Sequence, residues 1–176
     1  MIDIATRRLY IRNVLGDDWP KLQEVFINRA ASEYAAYEKP MPMDDESVKL
    51  FCEWYAHGDN FLTVTDTASG RMIGFISVET DTSGKGGELT YCVHSEFQRK
   101  GYAHEMCDAV ISYFFYRMKL DVINASTAVD NVPSMRLLMR LGFEKSGDDI
   151  SYYVKDASGR PMEFVSSTFV KMKMTQ

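Results

Sequence analysis

Residues Gln98–Ala103 read Gln-Arg-Lys-Gly-Tyr-Ala, and the stretches on either side of them decide the fold. On the amino side, Glu88-Leu89-Thr90-Tyr91-Cys92-Val93 is an apolar run with the alternation of a strand. On the carboxyl side a helical pattern runs from Gly101 to about Met118. A strand that turns tightly into a helix start leaves backbone N–H groups unpaired and pointing one way. With the positive end of the helix dipole they form an anion site suited to a pyrophosphate. Gly101 matters here because a Cβ would hold the phosphate off the backbone or forbid the turn. Alone, the loop reads more readily as an ordinary helix-initiating turn. It is not a P-loop, since Gly-Lys-Ser/Thr is absent, nor a dinucleotide fingerprint, which needs three spaced glycines.

Working outward, Leu9 and Ile11 alternate with polar residues over Arg8–Asn13, which predicts a first strand. Asp17 or Asp18 then caps a helix carrying Trp19, Leu22, Val25 and Phe26 on one face. Beyond a loop with Pro40 and Pro42, a second helix runs from about Asp45 to Ala56. Phe61–Thr65 and Met72–Val78 flank the turn residues Asp66–Gly70 and form a hairpin. After the helix from Gly101 come a strand Val122–Val129, a helix Pro133–Arg140, a strand around Ser151–Val154 and a last strand Glu163–Met172. The order β-α-α-β-β-β-α-β-α-β-β predicts one α/β sheet of mixed direction with helices on both faces. A chain of 176 residues without repeat or linker is expected to form one domain, residues 1–176.

About thirty residues past the loop lies a second segment. It reads Asp130-Asn131-Val132-Pro133-Ser134, then Leu137-Leu138-Met139-Arg140-Leu141-Gly142-Phe143-Glu144. The two segments, in this order and spacing, resemble the Gcn5-related N-acetyltransferase (GNAT) superfamily. The Asn-x-x-Ser followed by Leu-Gly-Phe is most similar to the branch holding the ribosomal-protein N-terminal acetyltransferases. The resemblance runs from Arg7 to about Lys173 and implies a mostly antiparallel sheet in a single α/β fold. It also implies an acetyl-CoA-dependent N-acetyltransferase. In such a protein the backbone of Gln98, Arg99, Lys100, Gly101, Tyr102 and Ala103 holds the cosubstrate's pyrophosphate.

Acyl transfer from a thioester to an amine needs a polarised carbonyl, a neutral amine and a stabilised leaving thiolate. The resemblance assigns the first need to the backbone N–H of Tyr91, freed where its strand splays from a neighbour at a bulge. Val93 then pairs with the pantetheine amides. Many relatives place a tyrosine as leaving-group acid four residues before the Gly of Leu-Gly-Phe. Here that residue is Leu138, which donates no proton, and Ser134 is the candidate replacement. Ser134 also reads as a plain first-turn helix residue, and Asn131 as either a helix cap or a cofactor partner. Glu88 and Glu79 are candidate bases, or solvated strand-end carboxylates. Cys92 has no activating histidine or helix N-terminus in the sequence, so direct transfer is expected. Arg99, Lys100, Arg136 and Arg140 are candidate phosphate partners or solvated cations.

The acceptor end is expected between the first two helices, with Glu33, Tyr34, Tyr37, Glu38, Asp44 and Asp45, and the last hairpin. Aromatic and acidic residues suit a cationic amine, on a protein N-terminus or a small molecule. A net charge of −5 argues against nucleic acid, and no apolar run is long enough to cross a membrane. Three scattered cysteines and an acidic, signal-free amino end are read as a cytoplasmic protein. His57, His94 and His104 lack metal-ligand spacing, so no metal is expected. Oligomeric state, monomer or homodimer, is left open. A catalytically weak acyl-CoA sensor on the same fold, and a nucleotide-dependent oxidoreductase, are the competing classes.

Overall fold

The computed structural model describes residues 1–174. In chain order the elements are β1 (Asp3–Ala5), β2 (Leu9–Asn13), α1 (Trp19–Ala30), α2 (Asp45–Tyr55), β3 (Phe61–Asp66), β4 (Met72–Thr80) and β5 (Gly86–Val93). They continue with α3 (Tyr102–Tyr116), β6 (Val122–Ala128), α4 (Val132–Arg140), β7 (Glu144–Ser151) and β8 (Phe164–Met172). The strands form one 8-stranded sheet in the order β1-β2-β3-β4-β5-β6-β8-β7. Every neighbouring pair is antiparallel except β5 and β6, which run parallel. The mixed, mostly antiparallel α/β sheet expected from the sequence is therefore the one observed.

Each face of the sheet has its own apolar layer. Met106, Val110 and Phe114 of α3 pack on Ile11, Val64, Ile76, Leu89 and Val93, and α4 adds Leu138 to that layer. On the other face Leu22, Val25 and Phe26 of α1 and Val48 and Cys52 of α2 cover Phe61, Met72 and Phe75. Burying these side chains is worth roughly 1.5–3 kcal/mol each and fixes which way every strand faces. Helix starts follow local chemistry. Asp44 accepts the Ser47 N–H at 2.9 Å and caps α2, and Pro20 lies in the first turn of α1.

Three sequence expectations are corrected. Asp18 stands at the start of α1 but does not cap it. Its carboxylate instead accepts the Arg12 guanidinium at 2.6 and 2.8 Å and the Leu15 N–H at 2.8 Å. The strand expected around Ser151–Val154 is β7, Glu144–Ser151. Its residues are nearly all exposed at the sheet edge, so no buried face imposes an apolar alternation on Glu-Lys-Ser-Gly-Asp-Asp-Ile-Ser. Tyr152–Val154, which looked strand-like, lies in the connection to β8, where only a Lys155–Pro161 bridge is paired. An unexpected short strand, β1, lines up on β2 with Ile4 opposite Ile11.

Candidate active site

The parallel ladder between β5 and β6 is short. It pairs Gly86 with Val122, Gly87 with Ile123 and Glu88 with Asn124, and then ends. From Leu89 onward β5 stays paired with β4, while β6 stays paired with β8 up to Ala128. The two central strands therefore diverge, and each turns one unpaired edge to a common cleft. The ladder of β5 with β4 runs without a register shift from Gly87 to Val93. The splay thus comes from divergence of β5 and β6 and not from the expected bulge.

The peptide groups facing the cleft follow from strand periodicity. The Lys85 carbonyl accepts from Asp121 N at 2.7 Å and so faces β6. His94 N donates to Ile73 O at 2.7 Å and so faces β4. Backbone groups alternate sides along a strand, which turns those of Leu89, Tyr91 and Val93 toward the cleft. The Val93 carbonyl is already taken by Gln98 Nε2 at 2.8 Å, so Gln98 closes the turn with its side chain.

Because β5 and β6 are parallel, the loops that leave their carboxyl ends meet at the same mouth, the usual crevice for ligands in such sheets. One loop holds Arg99 at φ 58° and Gly101 at φ 82°, both left-handed. Only glycine is at ease there, and a Cβ on Gly101 would also stand 3.4 Å from Arg8 Nη2. The N–H groups of Gly101, Tyr102, Ala103 and His104 have no acceptor among the described residues. Four unpaired donors at the start of a 15-residue helix fit a pyrophosphate. Tyr102 joins through its backbone alone, since its hydroxyl donates to Asp66 Oδ1 at 3.0 Å, away from the turn. Lys100 Nζ donates to Glu96 O at 2.8 Å.

Sequence reasoning overlooked what holds this loop in place. Arg8 Nη1 donates to Lys100 O at 2.9 Å, and its guanidinium stacks 4.3 Å over the Tyr102 ring. Glu105, in the first turn of α3, accepts from Thr6 Oγ1 at 2.7 Å, Arg8 N at 2.9 Å and Arg8 Nε at 2.7 Å. Burial works to raise the Glu105 pKa, yet these donors outweigh it and hold the carboxyl below its ordinary value.

The second loop brings α4. Asn131 Oδ1 accepts Ser134 N at 3.2 Å and caps the helix, the first of its two sequence readings. Its amide nitrogen makes no hydrogen bond among the described residues, which leaves a donor at the cleft mouth. Ser134 Oγ lies 2.8 Å from the Tyr91 hydroxyl, so this bond spans the cleft from β5 to α4. Leu138, one turn later, is buried in the core. Sequence reasoning credited Tyr91 with its backbone only and missed this hydroxyl. Burial, with a smaller contribution from Cys107, pushes the Tyr91 phenol well above its ordinary pKa.

The remaining candidates are farther apart. Glu88 lies three residues before Tyr91, about 10 Å along the strand, and its side chain alternates to the opposite face. It is paired in register with Glu79, and burial followed by that neighbouring charge raises its pKa. On the Glu88 face, burial pushes the Cys92 thiol up to about 12. Arg29 Nε and Glu38 Oε2 form an ion pair at 2.8 Å, with the two side chains 11% and 27% exposed. Burial raises the Glu38 pKa against the opposing pull of Arg29. Tyr37 reaches Asp130 Oδ2 at 3.4 Å and packs 5.2 Å from the Phe164 ring, which joins the α1–α2 connection to the last hairpin. Asp44 and Asp45 are occupied by Ser47 N and Gln23. No cluster of metal-ligating side chains occurs among the described residues, and none of their helices is long and apolar enough to cross a membrane.

A parallel strand pair that diverges below a helix N-terminus gives this fold a cleft with an anion-binding mouth. Residues 8–144, more than half of the chain, match a family model described as an acetyltransferase (GNAT) domain. The chain belongs to the GNAT family of acetyltransferases. An uncharacterized N-acetyltransferase of Bacillus subtilis, YnaD, is 28% identical over 150 residues, 82% of this chain and 84% of that protein. The fold is shared with an acetyltransferase (GNAT family) from Bacillus anthracis. That likeness has a TM-score of 0.82 and 20% identity, and covers 97% of this chain and 98% of the other. It is shared too with the ribosomal-protein-S5-alanine acetyltransferase of Vibrio fischeri, at TM-score 0.81 and 20% identity, over 98% and 97% of the two chains.

Proposed function

We propose that this acetyltransferase moves an acetyl group from acetyl-CoA to a primary amine, a protein N-terminus or a small amine, by direct attack on the thioester. The observation that carries this reading is the cleft between β5 and β6, whose walls are unpaired strand edges and whose mouth carries four unpaired helix-start N–H groups. The Gly101–His104 donors hold the pyrophosphate, the Val93 N–H aligns the pantetheine arm, and the Tyr91 N–H polarises the acetyl carbonyl. The amine's lone pair forms the C–N bond as the C–S bond breaks, and Ser134 donates a hydrogen bond to the departing sulfur.

A thiol buried to a pKa of about 12 is a poor nucleophile at neutral pH, which supports direct attack over an acetylated Cys92. The acceptor enters from the end lined by Glu38, Tyr37, Asp130 and Phe164, whose charges and rings attract a cationic amine. An α-amine, with a pKa near ~8, is partly neutral at pH 7 and needs little help, whereas a lysine-type amine near ~10.4 needs more. Glu88 is the proposed base, reaching the amine through water. Release of CoA from acetyl-CoA across a panel of N-terminal peptides, polyamines and small amines tests the proposal. Turnover on any of them supports it. Tight CoA binding with no turnover on the whole panel sinks it in favour of an acyl-CoA sensor.

A further inference from the structure

The hydroxyl that sequence reasoning did not use, on Tyr91, makes a single hydrogen bond among the described residues, across the cleft to Ser134 Oγ at 2.8 Å. Ser134 Oγ in turn has no other partner among the described residues. The bond joins residues 43 apart, one on the strand that frames the thioester and one on the helix after β6. Two hydroxyls sharing one bond can orient in two ways. A phenol is a far stronger donor than an aliphatic alcohol, so the favoured arrangement has Tyr91 donating and Ser134 accepting. The Ser134 hydrogen is then the free one, available to an acceptor in the cleft. We propose that Tyr91 is a positioning residue: its phenol holds Ser134 Oγ so that the serine hydrogen is presented to the sulfur leaving acetyl-CoA. This rests on the acetyl-CoA reading above and extends it to the side chain that makes the serine effective.

The neighbourhood supports that arrangement. Leu138 fills the next turn of α4 and brings no competing donor to the cleft, and the Asn131 cap fixes the backbone of Ser134. The raised phenol pKa keeps Tyr91 protonated, and therefore a donor, throughout the range in which amines react. No proton need leave Tyr91. The thiolate takes up the Ser134 hydrogen bond as the C–S bond breaks, and its proton comes finally from the ammonium formed on the acceptor.

The test needs no acceptor. CoA is bound to the wild-type protein and its thiol is titrated by the ultraviolet absorbance of the thiolate. The expected result is a thiol pKa below that of free CoA, higher by about one pH unit in Tyr91→Phe, and equally so in Ser134→Ala. The double variant is expected to match either single one, because the two hydroxyls act as a unit. CoA affinity and melting temperature report whether Tyr91→Phe is intact. As a second probe, 3-fluorotyrosine at position 91, a stronger donor, is expected to lower the thiol pKa. A raised pKa in Ser134→Ala with a wild-type value in both Tyr91 variants overturns the positioning role and leaves the acetyl-CoA reading standing. A thiol unaffected by any variant removes both hydroxyls from the thiolate. A wild-type protein that binds no CoA overturns the proposed function and this inference with it.

Discussion

Ser134 and Cys92 are the side chains whose substitution separates the chemical alternatives. Ser134→Ala is expected to lower kcat by about 10–100-fold, below the range of a full general acid, with the acetyl-CoA Kd nearly unchanged. A CoA thiolate is a good leaving group, so a serine aids its departure without being required. Rapid-mixing kinetics, under conditions where chemistry limits the rate, checks this, and a wild-type rate there would take the serine out of the mechanism. Cys92→Ala is expected to keep its activity, since burial holds that thiol protonated. Mass spectrometry that traps an acetylated Cys92, discharged on adding amine, is the contrary result. Burial, followed by the Glu79 charge, raises the Glu88 pKa from its ordinary value. Its basic form is therefore present only above that raised value, and the rate should fall as pH drops through it. In Glu88→Gln that acid limb should vanish from the kcat profile; an unchanged limb excludes Glu88 as the base.

At the scale of elements, the phosphate site belongs to a helix start that needs bracing from elsewhere. Gly101→Val has to force a β-branched residue into a left-handed conformation and press it on Arg8. A tenfold or greater loss of CoA affinity is expected, the value of one or two charge-assisted bonds, at about 1.4 kcal/mol per decade. Calorimetry on the folded variant measures it, and unchanged affinity refutes the loop as the anchor. Arg8→Ala never touches the cosubstrate in this reading. It releases the Lys100 carbonyl and removes the guanidinium from Glu105, leaving only the residue-8 backbone N–H and Thr6 Oγ1 on that carboxylate, so the loop loses part of its hold on the β1–β2 connection. A several-fold weaker Kd for CoA, with kcat at saturating acetyl-CoA retained, is expected from a loop that must be reordered on binding. Equal affinity in the variant would show that the turn is held by its own residues.

For the molecule as a whole, Asp18 ties the sheet to α1. Burial works against its charge, but the bidentate Arg12 and the Leu15 N–H prevail and hold its pKa below the ordinary value. A carboxyl depressed in the folded state contributes stability above its unfolded pKa and loses it as pH falls through the folded one. Thermal melts should therefore drop below about pH 4, where carboxylates take up protons. Asp18→Asn should lower stability at pH 7 by on the order of 2–4 kcal/mol and flatten that acid slope. An equally steep slope in the variant would place the acid sensitivity elsewhere.

What the sequence determined by itself was local. The apolar spacing of α1 to α4, the turn at Asp66–Gly70, the strand before Gln98 and the helix start at Gly101 all rest on interactions within a few residues, so they can be read without the fold. The pair of motifs 98–103 and 131–143 carried the family, because each encodes a loop that must sit at a strand end. Edge strand β7 was illegible, since with no buried face it needs no pattern. Only the tertiary structure decided the cleft, the brace and the bridge. Divergence of β5 from β6 depends on what each strand pairs with on its other side. The Arg8 contact to Lys100 spans 92 residues, and the Tyr91 contact to Ser134 spans 43. Such contacts are set by the path of the whole chain through the sheet, and no local periodicity records them.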